Sequence, residues 1–386
     1  MKDFIFHNPT KIVFGKGKIS TLGEEVSKTS KKVLLVYGRG SIKRNGVYDQ
    51  VVDSLKSYNV EFVELPDVKP NPVLSKVHEG INLARKEQVD GIIAIGGGST
   101  IDSSKTIAAG FYYDGDIWDA FRGKYKAEES LPIYVVLTIS ATGSEMNGGA
   151  VITNEETKQK YSFWSVKSYP RVSVLDPTVQ FSLPPIQTAN GAADAISHVL
   201  ELYFDGTQNV QILDELSEGI VRTVMDSTNI LMKNPTDYDA RANLVWSATL
   251  ALNGINGTGR SGGDWSSHAI EHSLSALYDI AHGSGLAIVM PAWMKYVHRE
   301  DVKKFARFAN RVFGIDESDR EKAATMGIER LKDWYKSIGL PVSLSDVNIS
   351  AEDIDKIVEN AAARAPFGKL KKLQRSDVKE ILKLCL

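Results

Sequence analysis

Residues 92–102 read IIAIGGGSTID, and this stretch decides the fold of the first half of the chain. An apolar run enters three consecutive glycines, and a Ser and a helical pattern follow them. This order predicts a phosphate-binding turn, because glycine lets backbone N–H groups approach a phosphate and a helix N-terminus favours negative charge. The stretch is neither G-x-G-x-x-G, since Ile101 replaces the third glycine, nor a P-loop. A tight turn that binds nothing is the alternative.

Short β-branched runs alternate with amphipathic stretches on both sides of this turn. The alternation predicts a mostly parallel sheet that helices cover on both faces, in an α/β domain. The predicted strands span residues 33–37, 60–65, 91–95, 133–138 and 172–175, and the predicted crossover helices span 47–58 and 73–87.

After residues 183–185 the strand signals fade, and helical patterns follow one another. A chain of 386 residues exceeds one ordinary core, so we predict two domains with a cleft between them. The predicted α/β domain takes residues 1–183, and the predicted all-helical domain takes 184–386. The clearest helical patterns span residues 188–204, 210–232, 238–252 and 264–278.

The composition excludes several classes of function. A net charge of -2, with 42% hydrophobic and 24% charged residues, gives no electrostatic reason to expect nucleic acid or a membrane as partner. The single cysteine, Cys385, allows neither a disulfide nor a thiolate metal site within one chain. The N-terminal residues lack a signal-peptide pattern, and no apolar run is long enough for a bilayer, so we expect a cytoplasmic enzyme.

Two further polar loops follow predicted strands of the same sheet, at residues 38–43 and 138–145. The carboxyl ends of parallel strands share one edge, and nucleotides bind at that edge. Together with the glycine turn at residues 96–98, three polar loops there indicate a dinucleotide.

The loop at residues 38–43 reads GRGSIK and contains no acid. NAD is usually held by a carboxylate on the ribose 2′-hydroxyl, whereas a 2′-phosphate prefers cations, Ser and open glycine backbone. We therefore expect NADP(H) to be preferred over NAD(H), with Gly38, Arg39 and Ser41 among the contacts. An ordinary solvated surface turn is the alternative.

Four of the seven histidines fall at residues 198, 268, 272 and 282, in the predicted helical half of the chain. Asp194 and His198 are four residues apart, and so are His268 and His272, so each pair projects from one face of a helix. With His282 they form a candidate metal site, since this spacing is how helices present ligands. Histidines satisfied inside a helical core are the alternative.

Taken in order, these motifs resemble the group III, iron-dependent alcohol dehydrogenases, in the branch of NADPH-using butanol dehydrogenases and broad-range aldehyde reductases. The resemblance implies an α/β dinucleotide-binding domain followed by an all-helical domain, a homodimer, and short aliphatic aldehydes such as butanal as substrates. It covers essentially the whole chain and rests on residues 8–15, 70–72, 96–102, 141–145, 176–177, 194–198, 268–272 and 282–283.

The resemblance also implies the roles of individual residues. The metal ligands match Asp194, His198, His268 and His282, a set that suits Fe(II) or Zn(II). The nearby histidine matches His272, one helical turn from His268, and could relay a proton. His272 as a fourth imidazole ligand, with Asp194 orienting a histidine, is the alternative. The implied cofactor contacts are Gly97, Gly98, Ser99, Asp102, Thr138 and Thr142, with Asn71, Lys160 and Leu183 as further matches.

Three other functions are alternatives to that of an alcohol dehydrogenase. Residues 268–272 read H-x-x-E-H, the inverted zinc-peptidase motif, in which Glu271 would be the general base; otherwise Glu271 forms only a helical hydrogen bond or an ion pair. A dehydroquinate synthase-like lyase would need Lys and Arg around the site, and the ligand-bearing helices are poor in both. A catalytically silent metal or nucleotide sensor is the third rival.

Overall fold

The computed structural model describes all 386 residues and divides into two compact units. The α/β unit comprises His7–Leu183 and Asn234–Thr249. The helical unit comprises Met1–Phe6, Pro184–Lys233 and Leu250–Leu386. No helix is long and apolar enough to cross a membrane.

A six-stranded sheet forms the centre of the α/β unit, in the order β1-β8-β5-β4-β2-β3, and all five strand pairs are parallel. Its helices and strands, together with the separate antiparallel hairpin β6–β7, are β1 (Lys11–Phe14), α1 (Leu22–Ser27), β2 (Lys32–Tyr37), α2 (Ser41–Arg44), α3 (Val47–Ser57), β3 (Glu61–Leu65), α4 (Leu74–Lys86), β4 (Gly91–Gly96), α5 (Gly98–Gly110), α6 (Trp118–Phe121), β5 (Ile133–Leu137), β6 (Gly149–Asn154), β7 (Gln159–Trp164) and β8 (Val172–Leu175).

The sheet is buried on both faces because successive side chains of a strand point to opposite sides. In β2, Leu34 and Val36 pack into the core on one face, while Val33 and Leu35 pack into the core on the other. All six residues of β4 are buried. The continuous apolar runs of these strands are therefore explained by helices on both sides of the sheet.

The strand order fixes where a ligand can bind. From β2 the chain moves outward to β3 and then returns to β4 on the other side of β2, so the order reverses between β2 and β4. Ligands of open α/β sheets bind outside the carboxyl ends of the strands at such a switch point. The loop at residues 38–41 and the glycine turn at residues 96–98 follow these two strands.

The helical unit contains the remaining helices and no strand of four or more residues. They are α7 (Pro185–Tyr203), α8 (Gln211–Leu231), α9 (Tyr238–Leu252), α10 (Ser266–Tyr278), α11 (His282–Val297), α12 (Val302–Phe313), α13 (Arg320–Ser337), α14 (Ile354–Ala361) and α15 (Arg375–Leu384), of which α9 begins in the α/β unit.

The predicted fold class is confirmed, and the predicted strands and crossover helices occur within one residue of their expected ends. The strand β1 and the hairpin β6–β7 were not predicted. β1 is a four-residue edge strand with exposed ends, so its pattern is weak.

The chain passes from the α/β unit to the helical unit at Leu183–Pro184, which is also the border between the predicted ranges 1–183 and 184–386. Two segments, however, belong to the other unit than the one predicted for them. Residues 234–249 pack with the α/β unit: Val245 joins its core, and the Thr249 hydroxyl donates to Glu145 Oε1 at 2.5 Å. Met1–Phe6 belongs to the helical unit, where the Lys2 N–H bonds to the Gly259 carbonyl.

Candidate metal centre and dinucleotide site

Three helices carry the predicted metal ligands. Asp194 and His198 lie one turn apart on α7, and His268 and His272 lie one turn apart on α10. His282 is the first residue of α11. The next residue, Gly283, packs on the α7 backbone so closely that a Cβ there would lie 2.1 Å from the Asn190 carbonyl oxygen. Glycine at this position thus brings the start of α11 against α7.

The predicted ligand atoms converge on the Asp194 carboxylate. Asp194 Oδ1 lies 3.5 Å from His198 Nδ1 and 3.5 Å from His282 Nε2. Asp194, His268 and His282 each offer a ligand atom within 4.8 Å of the others, and the His198 and His268 rings are 4.8 Å apart. The structure therefore brings all four predicted ligands together.

Three of these atoms are buried without a hydrogen-bond partner: Asp194 Oδ1, His198 Nδ1 and His268 Nε2. A buried carboxylate or imidazole nitrogen left in this way costs free energy. A divalent cation among them would satisfy all three at once, so the donor set fits a metal. One carboxylate oxygen and imidazole nitrogens are ligands that Fe(II) and Zn(II) both accept.

The pKa of His198 is lowered to about 3, mainly by burial, with His268 and His282 adding to the shift and Asp194 opposing it. The imidazole is therefore neutral at physiological pH. A neutral ring has the lone pair that a metal ligand needs.

A buried carboxylate, Glu201, stands behind His268. It accepts hydrogen bonds from His268 Nδ1 at 3.2 Å, from the His268 N–H at 3.1 Å and from the Trp265 N–H at 2.6 Å. The Ser267 hydroxyl donates to it as well. Because Nδ1 is engaged by Glu201, the ring presents Nε2 to Asp194 and His282.

Glu271 does the same for His282. Its buried carboxylate accepts from His282 Nδ1 and from the Ser275 hydroxyl one helical turn along α10. His282 consequently presents Nε2 to Asp194. These contacts match the alternative in which Glu271 forms only a helical hydrogen bond and an ion pair.

His272 lies beside the ligand set, with its ring 6.3 Å from that of His268 and 5.6 Å from that of His282. Glu271, His272 and His282 form a second group with ligand atoms within 4.8 Å. The Asp194 group is the better metal site, because Asp194 Oδ1 is unpartnered whereas Glu271 already accepts two hydrogen bonds.

The glycine turn of the α/β unit is packed against the loop after β5. A Cβ on Gly98 would lie 2.4 Å from Thr142 Cγ2, and one on Gly97 would lie 3.0 Å from Ile139 Cβ. The Thr138 N–H donates to the Gly96 carbonyl at 3.0 Å. Two of the three predicted loops thus meet, and Gly97, Gly98, Thr138 and Thr142 lie together, with Ser99 as the second residue of α5.

Asp102 lies behind this turn and bonds to protein groups. Its carboxylate accepts from the Ser144 hydroxyl at 2.6 Å and from the Val151 N–H at 2.9 Å. The neighbouring Lys105 is fully buried and donates to Ser144 Oγ at 2.8 Å and to Asn147 Oδ1 at 3.1 Å. Burial lowers the pKa of Lys105 to about 8, although Asp102 and Glu145 oppose the shift. These two side chains fix the loop after β5.

The less specific matches are arranged as follows. Lys160 Nζ donates to Asn71 Oδ1 at 2.9 Å, and both side chains are buried. The Leu183 N–H donates to the Gln180 carbonyl at the end of a turn. The Gln180 side chain in turn bonds to the Ser140 hydroxyl, which lies in the loop after β5.

The loop at residues 38–41 exposes Arg39 and Ser41 to solvent. The next cation along the chain, Lys43, forms an ion pair, since its Nζ lies 3.1 Å from Glu64 Oε2. The loop has no acid of its own, yet the fold brings one beside it from β3. Sequence reasoning missed this contact.

Two family models match the chain. The model described as iron-containing alcohol dehydrogenase matches residues 9–177, and the model described as Fe-containing alcohol dehydrogenase family, C-terminal, matches residues 188–386. The chain belongs to the iron-containing alcohol dehydrogenase family. The resemblance to the iron-dependent alcohol dehydrogenase family seen in the sequence is thereby confirmed.

Full-length relatives agree with this family. The chain is 44% identical over 387 residues to NADH-dependent butanol dehydrogenase A of Clostridium acetobutylicum, with 99% of each chain covered. It is 37% identical over 362 residues to the NADPH-dependent aldehyde reductase YqhD of Escherichia coli, covering 93% of this chain and 92% of that protein. The structure of NADH-dependent butanol dehydrogenase A from Thermotoga maritima matches it with a TM-score of 0.97 and 57% identity, covering 100% of this chain and 99% of that chain.

The chain is therefore a nicotinamide-dependent alcohol dehydrogenase or aldehyde reductase of the iron-containing type. This excludes the peptidase, lyase and sensor functions as its main role. The H-x-x-E-H pattern at residues 268–272 is a coincidence of a short motif, since Glu271 supports His282.

Two functional residues were missed although the sequence carries a signal for one of them. Glu201 follows Asp194 by seven residues and His198 by three, so all three lie on one face of α7. The sequence predicts no role for Lys105. Only the structure shows that it fixes the loop after β5.

Proposed function

We propose that this alcohol dehydrogenase interconverts short aliphatic aldehydes, with butanal as the type case, and the corresponding alcohols at a metal centre held by Asp194, His198, His268 and His282. The supporting observation is the set of three buried polar atoms without partners, Asp194 Oδ1, His198 Nδ1 and His268 Nε2. The Clostridium relative is named a butanol dehydrogenase, which supports the substrate class.

When bound, the divalent cation polarises the substrate oxygen as a Lewis acid and the nicotinamide supplies or accepts the hydride. Glu201 and Glu271 hold His268 and His282 so that Nε2 of each ring faces Asp194. His272, beside this set, is the group that carries the proton between the substrate oxygen and solvent.

The dinucleotide lies, in this proposal, at the switch point between β2 and β4. The contacts are Gly97, Gly98, Ser99, Thr138 and Thr142, with Asp102, Asn71, Lys160 and Leu183 in supporting positions and Gly38, Arg39 and Ser41 near the adenosine ribose. The acid-free loop at residues 38–43 supports use of NADP(H), with NAD(H) accepted as well. Relatives named for each cofactor are consistent with dual use.

The proposal has three further features. The metal is Fe(II) or Zn(II), because the ligand types suit both. The family resemblance supports a homodimer, and the lack of a signal-peptide pattern supports a cytoplasmic enzyme.

The test is aldehyde reduction by protein stripped of metal and reloaded separately with Fe(II) or Zn(II). Loss of NADPH absorbance with butanal should appear only in the reloaded protein, and NADH should serve less well. The variant His272→Gln should bind metal like the parent but reduce butanal about 100-fold more slowly at neutral pH. Butanal reduction that is unaffected by metal removal would refute the proposal.

A further inference from the structure

The loop at residues 38–43, here named the ribose loop, has beside it a carboxylate that its own sequence does not contain. Glu64 is the fourth residue of β3, and the parallel register places it opposite Leu35 of β2. β2 ends at Tyr37, directly before Gly38. Glu64 therefore lies at the carboxyl edge of the sheet, where the ribose loop begins.

Three side chains hold Glu64 in this place. The hydroxyls of Tyr37 and Tyr48 donate to its two carboxylate oxygens, and Lys43 Nζ lies 3.1 Å from Oε2. The Lys43 ammonium also lies over the Tyr48 ring, 4.5 Å from its centre. Although burial opposes it, the hydrogen bonds lower the pKa of Glu64, so the carboxylate is charged at neutral pH.

The consequence for a 2′-phosphate is a matter of charge. Residues 38–43 contain two cations, Arg39 and Lys43, both exposed, and of these Lys43 pairs with Glu64 and lies over the Tyr48 ring. A 2′-phosphate is stabilised by cations and repelled by a fixed carboxylate, whereas a ribose 2′-hydroxyl is not.

We infer that Glu64 is a specificity-determining residue, which limits the preference for NADP(H) by pairing with Lys43 and by opposing a 2′-phosphate. The inference rests on the proposed binding of a dinucleotide at the β2–β4 edge. It makes Glu64 the acid that the loop at residues 38–43 lacks, delivered by the neighbouring strand.

The test compares two ligands that differ only in the 2′-phosphate, adenosine 5′-monophosphate and adenosine 2′,5′-bisphosphate. Their dissociation constants are measured by calorimetry on the purified full-length protein, so the readout does not depend on turnover. In Glu64→Gln the affinity ratio should shift toward the bisphosphate by about five-fold, because one opposing charge is removed and Lys43 is released. Glu64→Ser, which keeps no long side chain, should shift the ratio in the same direction.

A matched control is Glu61→Gln, an exposed acid on the same strand, which should change the ratio less than about two-fold. In the double variant Glu64→Gln with Lys43→Gln most of the gain should disappear. An unchanged ratio in both Glu64 variants, while both ligands still bind, would overturn the inference and leave the nucleotide site intact. Failure of the parent protein to bind either ligand would overturn both.

Discussion

In the helical unit, Asp194, His198 and His268 each keep a buried polar atom without a hydrogen-bond partner. In the α/β unit, the buried charges behind the glycine turn are bonded: Asp102 and Lys105 share the Ser144 hydroxyl. The first arrangement is one that a cation completes, while the second is complete without a ligand. Under the proposed function, a metal would therefore be held by side chains, whereas a dinucleotide would be held mainly by backbone that buried side chains support.

If this contrast is right, the largest effect comes from Asp194→Asn. The amide cannot supply the negative charge, so affinity for Zn(II) should fall by about 1000-fold or more. The metal-free variant should melt at a higher temperature than the metal-free parent, because the amide replaces a buried carboxylate whose Oδ1 lacks a hydrogen-bond partner. Chelator competition and thermal unfolding measure the two effects.

The matched control is Asp226→Asn, an exposed acid on α8. It should leave both the affinity and the melting temperature unchanged. A metal-free Asp194→Asn protein that melts lower than its parent would contradict the idea that the lack of a hydrogen-bond partner at Asp194 Oδ1 costs stability in the absence of metal.

The next effect is the pH dependence caused by Lys105. Its pKa is lowered by burial from 10.5 to about 8, so between these values the unfolded chain binds a proton that the folded chain has released. Stability therefore rises with pH in this range, and relative to Lys105→Met the free energy of unfolding should gain roughly 3 kcal/mol from pH 8 to 10.5. Urea unfolding at several pH values measures it.

Lys86→Met is the control for Lys105, since Lys86 is exposed at the end of α4. The parent and this control should show parallel pH profiles. If the free energy of unfolding of Lys105→Met also varied with pH in parallel with that of the parent, Lys105 would have an ordinary pKa in the folded protein.

A backbone-dominated dinucleotide site should be sensitive to Gly98→Ala, whose Cβ would meet Thr142 at 2.4 Å. Displacing that loop should weaken NADPH binding by roughly 10- to 100-fold while Zn(II) binding stays unchanged. NADPH fluorescence titration gives the first quantity. Gly219→Ala on α8, where the nearest atom is 4.0 Å away, should bind NADPH like the parent.

The smallest effect concerns the carboxylates behind the ligands. Glu201→Gln and Glu271→Gln should each lower Zn(II) affinity by about 10-fold, because the orientation of His268 or His282 is loosened while every ligand remains. Chelator competition again measures it, with Glu215→Gln on the exposed face of α8 as control. A loss as large as that of Asp194→Asn would show that the carboxylate itself binds the metal.

The helices and strands that could be predicted best are those whose side chains repeat with a regular spacing along a short stretch of sequence. Apolar runs gave β2 and β4, and the spacing of four placed Asp194 beside His198 on α7. Glu201 had the same helical signal and was overlooked.

What escaped prediction depends on which elements become neighbours. Glu64 reaches the ribose loop only through the register of β2 and β3, and Lys105 reaches Ser144 only because the loop after β5 folds over α5. Residues 234–249 read as an ordinary helix, yet Thr249 and Val245 pack with the α/β unit. Contacts between distant segments carry no local pattern.

The most direct measurement is a crystal structure of the metal-loaded protein with anomalous scattering data at the edge of the loaded metal. The account predicts one ion within about 2.3 Å of an Asp194 oxygen and of one nitrogen each from His198, His268 and His282, with His272 outside the coordination sphere. An ion held by Glu271, His272 and His282, with Asp194 unbound, would contradict it.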